Sequence, residues 1–430
     1  MDYAQFSQNE LIKMLDNERK AFKQVQKRGI SVDMTRGRPE SAQLAVSMPM
    51  LENAGTYNYV EDGVDARNYG QLLGIKSARE LYANLMGCKE DEVIVADGSS
   101  LDLMYTVVQF AMQFGVLGST PWNKLKKVKF ICLTPGYDRH FSICEHFGIE
   151  MIAVRMRADG PDMNLIESIV RDDDSVKGIW CVPKYSNPSG ITYSDKVVER
   201  LATMKTAADD FRIFWDNAYL AHDLYDDGDR LKNIFDVARK AGTLDRVYAF
   251  SSTSKITFAG SGLACFASSQ SNVEAIAHEL FFKTIGPNKI NQVMHVNFLK
   301  NLSHIKEIMR KHAEILRPKF KLFDEKMTQE FEGDNYVNWS KPRGGYFISL
   351  DVKTCAKRVV ELSAEAGVKF TPAGSPFPYH IDDLDENIRI APSVPTLDEM
   401  DYAVDVLISA IKQARMELVL KKIYHFDARA

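Results

Sequence analysis

Between Glu92 and Ala267 the chain alternates apolar runs with amphipathic stretches, and this rhythm restricts the fold more than any other feature. Glu92–Ala96, Val128–Leu133, Met151–Val154, Val176–Val182, Phe211–Trp215 and Val247–Phe250 read as strands. Helical periodicity falls between most of them, near Tyr137–Phe147, Met163–Val170 and Ser194–Ala208. Strands that alternate with helices imply an α/β fold whose mostly parallel sheet is covered on both faces. Leu263–Ala267 is a further short strand, close enough to Phe250 to be its antiparallel neighbour.

The flanks read differently. Ser7 caps a helix that runs to Arg28 and stops at Gly29, and Val32–Pro39 is extended. A helix covers Ile75 to Met86. Beyond Asn272, helical blocks near 272–284 and 288–332 lead to the strand Tyr346–Leu350, a helix near 355–366, the strand Asn387–Ile390 and a terminal helix from Leu397. That order suggests a small α+β domain. A length of 430 residues exceeds one comfortable core, so two domains are expected. Residues 1–50 form an arm and part of the small domain, 51–305 the large domain, and 306–430 the rest of the small one. The net charge of -4 argues against a general attraction to nucleic acid or an acidic membrane. Six scattered cysteines without C-x-x-C or metal-ligand spacing suit a reduced interior and no metal site. Residues 1–28 carry no signal-peptide pattern, and no apolar run is long enough to span a bilayer, so a cytoplasmic location is expected.

Polar clusters follow the strands, where open α/β sheets bind ligands. Ser251-Ser252-Thr253-Ser254-Lys255 follows Phe250. It is either a solvated polar loop or a phosphate-suited turn whose lysine is made nucleophilic by desolvation. Gly98-Ser99-Ser100 opens a helix, as a plain cap or as an anion site. Tyr137 is a packing residue or a stacking platform. Asn187, set between Ser186 and Pro188 in a turn-forming stretch, is structural or donates to a ligand. Asp216 directly follows an apolar strand and is costly to leave unpaired, so it caps a helix or faces a cation, with Tyr219 three residues on. Arg389 inside an apolar strand needs an anionic partner, internal or from a substrate.

Taken in order, Gly98-Ser99-Ser100, Tyr137, Asn187-Pro188-Ser189-Gly190, Asp216-x-x-Tyr219, Ser252-x-x-Lys255 and Arg389 resemble the fold-type I, pyridoxal-phosphate-dependent class I aminotransferases. The resemblance runs from about Thr35 to Arg389. Ser252–Gly260 and Thr284–Gln292 look most like a divergent bacterial branch of aspartate aminotransferases. It implies a seven-stranded, mostly parallel sheet sandwiched by helices, with a smaller α+β domain built from both termini. It implies pyridoxal 5'-phosphate as cofactor, attached to Lys255, with Asp216 at the pyridinium nitrogen and Asn187 and Tyr219 at the phenolic oxygen. Tyr137 would stack on the ring, while Gly98, Ser99, Ser100, Ser252 and Ser254 surround the phosphate. Tyr69 would reach the phosphate of a neighbouring subunit, which implies a homodimer with shared active sites. Arg389 would grip the substrate α-carboxylate, and the loop at Gly37 would close over it. The implied reaction is a ping-pong transfer from an L-amino acid, aspartate favoured, to a 2-oxo acid such as 2-oxoglutarate.

One departure stands out. Many members carry an arginine about eight residues after the lysine, where this chain has Leu263. Lys289 is the expected replacement cation for the phosphate, from the same subunit or the other one. A second carboxylate, if the substrate is aspartate, leaves Arg38, Arg139 and Lys283 as candidate partners. Two other readings remain: a lyase or synthase of the same fold, and a non-enzymatic effector-sensing domain. The latter is disfavoured because only about thirty-five residues precede Gly37.

Overall fold

A computed structural model describes residues 2–428 of the chain. Its main sheet holds β1 (Val93–Asp97), β2 (Lys129–Thr134), β3 (Glu150–Arg157), β4 (Gly160–Pro161), β5 (Val176–Cys181), β6 (Arg212–Asp216), β7 (Val247–Ser252) and β8 (Leu263–Ala267). Across the sheet the order is β1-β8-β7-β6-β5-β2-β3-β4. The five strands from β7 to β3 are parallel, and β8 runs against both β7 and β1. The seven expected strands are all present. The eighth, β4, is a two-residue return that pairs Gly160 with Arg157.

These strands read as unbroken apolar runs because both faces are buried. Ile131, Leu133, Ile179, Ile213, Trp215 and Ala249 pack on one side. Phe130, Cys132, Trp180, Phe214 and Phe250 pack on the other. Phe130 and Phe214 lie 5.2 Å apart by ring centroid, and Phe214 stacks on Phe250 at 6.1 Å. Gly178 makes room for this layer, since a Cβ there would sit 2.6 Å from Phe130 Cζ. The parallel strands end together, so Asp216, Ser252 and the turns after β2 and β5 emerge on one rim.

The helices used below are α1 (Gln8–Gln26), α2 (Ser41–Val46), α3 (Ser100–Phe114), α4 (Asp138–His146), α5 (Lys289–Leu299), α6 (Leu302–Phe331) and α7 (Leu397–Tyr424). The expected helical block 288–332 is split, because Lys300 takes φ 56° and Asn301 then caps α6 at His304 N–H. α6 contains Pro318, which cannot supply the helical N–H. Ahead of it, Ile305, Ile308 and Met309 pack with Met50, Leu81 and Ile256. Leu316, Phe320, Phe323 and Met327 belong to a second core with Val32, Met34, Ile388, Ile390 and Leu407. That core backs an antiparallel sheet of β9 (Val337–Trp339), β10 (Ile348–Val352) and β11 (Asn387–Ile390). The N-terminal segment joins it through Val32–Asp33, paired in parallel with Val368–Lys369. β10 starts two residues later than its apolar run predicts, leaving Tyr346 and Phe347 buried in the preceding turn, beside the rim.

Candidate active site

A cavity of about 460 Å³ opens at the rim, between the main sheet and the second core. Lys255 stands in it just beyond β7. Thr253, not the serines, fixes this turn: its N–H donates to Leu263 O at 2.9 Å, and its Oγ1 accepts from Leu263 N–H at 2.9 Å. Thr257 donates to Thr253 O at 3.1 Å and lies 2.9 Å from His295 Nε2. Ser252 and Ser254 are left to line the cavity, while Ser251 is buried. A side chain at Gly262 would collide with Ser254 Oγ, so the glycine is required there. Leu263 is a buried strand residue paired with Asp97, and no cation stands at its position.

The Lys255 amine lies 5.1 Å from the Tyr219 ring centroid. Its side chain opens partly into the cavity, yet the surrounding walls desolvate it and lower its pKa, an effect the Asp216 carboxylate partly opposes. Asp216 is 2% exposed. Its Oδ2 lies 3.1 Å from His140 Nε2, and its Oδ1 has no hydrogen-bond partner among the described residues. His140 stacks on Trp180 at 4.4 Å and meets Tyr137 edge-on at 4.9 Å. Burial drives the Tyr219 phenol well above its usual pKa and pushes Tyr137 up to about 12, with Asp216 adding to both, so each stays protonated. Asn187 is buried in the same wall, with Oδ1 unpartnered.

At the far wall α3 begins. Its Ncap, Ser99, makes no side-chain cap bond, and Ser99 and Ser100 line the cavity at the start of the helix. Gly98 makes the turn into α3 at φ 76°, its N–H bound to Gly262 O, and does not line the cavity. At the mouth, Arg389 Nη1 donates to Asp138 Oδ1 at 2.6 Å, Nη2 donates to Thr371 Oγ1 at 3.0 Å, and Nε has no partner among the described residues. The guanidinium lies 5.2 Å from the Phe347 ring centroid. Arg36, Gly37, Arg38 and Arg139 complete the mouth. Among the described residues, Arg36, Arg38 and Arg139 form no ion pair.

Lys255, Asp216, Tyr219, Tyr137, Asn187, Ser99, Ser100, Ser252, Ser254, Arg389, Gly37 and Arg38 therefore converge on one cavity. Tyr69 does not: it is 80% exposed on the outer surface. Lys289 is buried in the first turn of α5, outside the cavity lining, and Lys283 donates to Thr106 Oγ1 at 2.9 Å, also outside. Sequence reasoning missed His140, although it falls three residues after Tyr137 on the inner face of α4. It also missed Arg36 and the buried chain behind the lysine: Tyr346 donates to Lys255 O at 3.3 Å and accepts from Gln43 Nε2 at 2.9 Å. No group of His, Cys, Asp or Glu able to hold a metal ion occurs among the described residues.

Comparison with known proteins bears on the whole chain. A family model described as aspartate amino-transferase matches residues 6–422. The chain is 42% identical over 402 residues to an aspartate aminotransferase of Corynebacterium glutamicum, which covers 93% of each protein. A crystal structure of an aspartate transaminase from the same organism superposes with a TM-score of 0.94 at 40% identity, covering 97% of this chain and 99% of that one. An alpha-aminoadipate aminotransferase from Thermus thermophilus, at 19% identity, shares the fold, with a TM-score of 0.72 over 89% of this chain and 92% of that one.

Proposed function

The chain belongs to the aspartate aminotransferase family and is a transaminase, and on that premise we propose that it moves an amino group from an L-amino acid, aspartate by preference, to 2-oxoglutarate, with pyridoxal 5'-phosphate held at Lys255. The observation that carries this reading is Asp216. A buried carboxylate oxygen without a partner, aimed into a cavity, is costly, and a pyridinium N–H is the kind of group that satisfies it. The residues present fit the cofactor's ring and its phosphate hydrogen bonds, while the cation expected beside the phosphate does not stand at Leu263 or Lys289. Ser99, Ser100, Ser252, Ser254 and the start of α3 suit a phosphate, and Asn187 and Tyr219 retain hydrogen-bonding capacity for the phenolic oxygen.

When bound, the cofactor supplies an electron-withdrawing ring that stabilises charge at the substrate α-carbon. The protein does the rest. His140 holds Asp216 in place, so the carboxylate charge stays beside the ring nitrogen. Tyr137 would cover a face of the ring, and the protonated Tyr219 would donate to its phenolic oxygen. Lys255, with its pKa lowered by the walls, is a free base at lower pH than a surface lysine and would be the group that takes the substrate α-proton. Arg389 orients the α-carboxylate. Arg36, Arg38 and Arg139 offer unpaired guanidinium groups for a second carboxylate, which favours a dicarboxylic substrate.

The pairing of subunits belongs to the same proposal. Tyr69, Phe281, Phe282 and Ile285 are exposed apolar residues, the first 80% and the others 65–74% accessible. The Gly286 backbone packs directly against Gly70, bringing these segments together. Exposed apolar side chains of this size suit a partner, and a homodimer would carry Tyr69 to the neighbouring phosphate. Lys289, buried within its own subunit, is not placed to serve a phosphate across that interface. The purified holoenzyme mixed with single amino acids tests the substrate. L-aspartate should change the visible absorbance of the bound cofactor without any 2-oxo acid, and 2-oxoglutarate should reverse it. No change with any amino acid would defeat the transamination reading.

A further inference from the structure

The ion pair between Asp138 and Arg389 joins residues 251 positions apart. Asp138 is the first residue of α4, carried by the main sheet, and Arg389 lies in β11 of the second core. The side chains are 25% and 5% exposed, and both line the cavity. Arg389 also touches the N-terminal segment, since Nη2 donates to Thr35 O at 3.4 Å as well as to Thr371 Oγ1. With Nη1 held by Asp138, only Nε lacks a partner among the described residues.

A buried guanidinium left without an anion is strongly unfavourable, and a carboxylate binds it best through two parallel N–H bonds. Both conditions bear on the unliganded enzyme. Asp138 supplies the anion, and in doing so it occupies a donor that an incoming carboxylate needs. We propose that Asp138 is an internal stand-in for the substrate α-carboxylate: it holds Arg389 until a carboxylate arrives, is displaced by it, and thereby sets the affinity for carboxylate ligands. This rests on Arg389 being the α-carboxylate site. The exchange also trades a tie between the two cores for one made through the ligand. Asp138 acts through Arg389 and is a positioning residue. Its location in the first turn of α4 would by itself suit a helix dipole, but that role requires no contact with Arg389.

Calorimetric titration of the holoenzyme with maleate, an unreactive dicarboxylate, tests the exchange. An internal competitor raises the apparent dissociation constant by the factor it must be displaced from. Asp138→Asn, which keeps the shape and removes the charge, should bind maleate about tenfold more tightly. Asp138→Ser should shift in the same direction, and Arg389→Lys should weaken binding. If Arg389→Lys weakens binding while both Asp138 variants bind unchanged or more weakly, the stand-in role is wrong and the site reading survives. If Arg389→Lys leaves maleate affinity unchanged, the carboxylate site itself is misassigned and both fall. A change in Tm with no change in maleate affinity would mark Asp138 as purely structural and overturn the proposal.

Discussion

In the proposed function Lys255 would carry two roles in one side chain, a covalent attachment and a proton carrier, and both draw on the lowered pKa that its walls impose. Lys255→Ala should therefore abolish the visible absorbance of bound cofactor and reduce turnover by more than about 10⁴-fold, because nucleophile and general base are lost together. Asp216→Asn keeps the shape and removes the charge. It should lower kcat by roughly 10²–10³-fold, the scale of a lost preorganised electrostatic contact, with substrate KM changed far less; an equal loss in KM would point to a binding role. Most of these residues were legible because each interrupts an apolar strand end with a group that burial penalises. His140, Asp138 and Gln43 were not. Their importance comes from contacts made across long stretches of sequence, as between Gln43 and Tyr346, and no local period encodes such a meeting.

At the scale of elements, the N-terminal loop lines the cavity mouth and α6 packs behind it. A Cβ at Gly37 would stand 2.6 Å from Phe347 Cζ, and Phe347 lies against Arg389. Gly37→Ala should thus raise substrate KM about tenfold through a displaced loop or ring, and the overpacking, about 1–3 kcal/mol, should lower the thermal midpoint as well. α6 places His312 3.1 Å from Gln43 Nε2, and burial lowers its pKa from 6.5 to about 4. Between those values the unfolded chain binds a proton that the folded chain refuses, so stability is lost as pH falls from about 6.5 toward about 4. By pH 5 the loss is about 2 kcal/mol, and His312→Gln should flatten the fall of Tm between pH 7 and 5. A slope identical to that of the parent would contradict the assignment. The long strands were readable from sequence because burial on both faces writes an unbroken apolar run. Val32–Asp33 and Val368–Lys369 were not, since two residues carry no period. The break at Lys300 was hidden because nothing about a lysine announces a positive φ.

As a whole molecule, the fold sets a sheet rim against a second core with the cavity between them, and the N-terminal segment is stitched into both. The sheet and its ligand rim followed from the alternation alone. Tyr69 faces outward, away from the cavity, and its assigned role depends on the proposed homodimer. Sedimentation should give twice the 48.6 kDa chain mass, and Phe281→Asp with Phe282→Asp should yield monomers with weakened cofactor binding. Fully active monomers would remove the need for a shared site. No described helix is long and apolar enough to cross a membrane. The most direct test of the account is borohydride reduction of the holoenzyme followed by peptide mass spectrometry. The cofactor should be fixed on the peptide containing Lys255 and on no other; a label on a different lysine, or none at all, would contradict the assignment of this cavity.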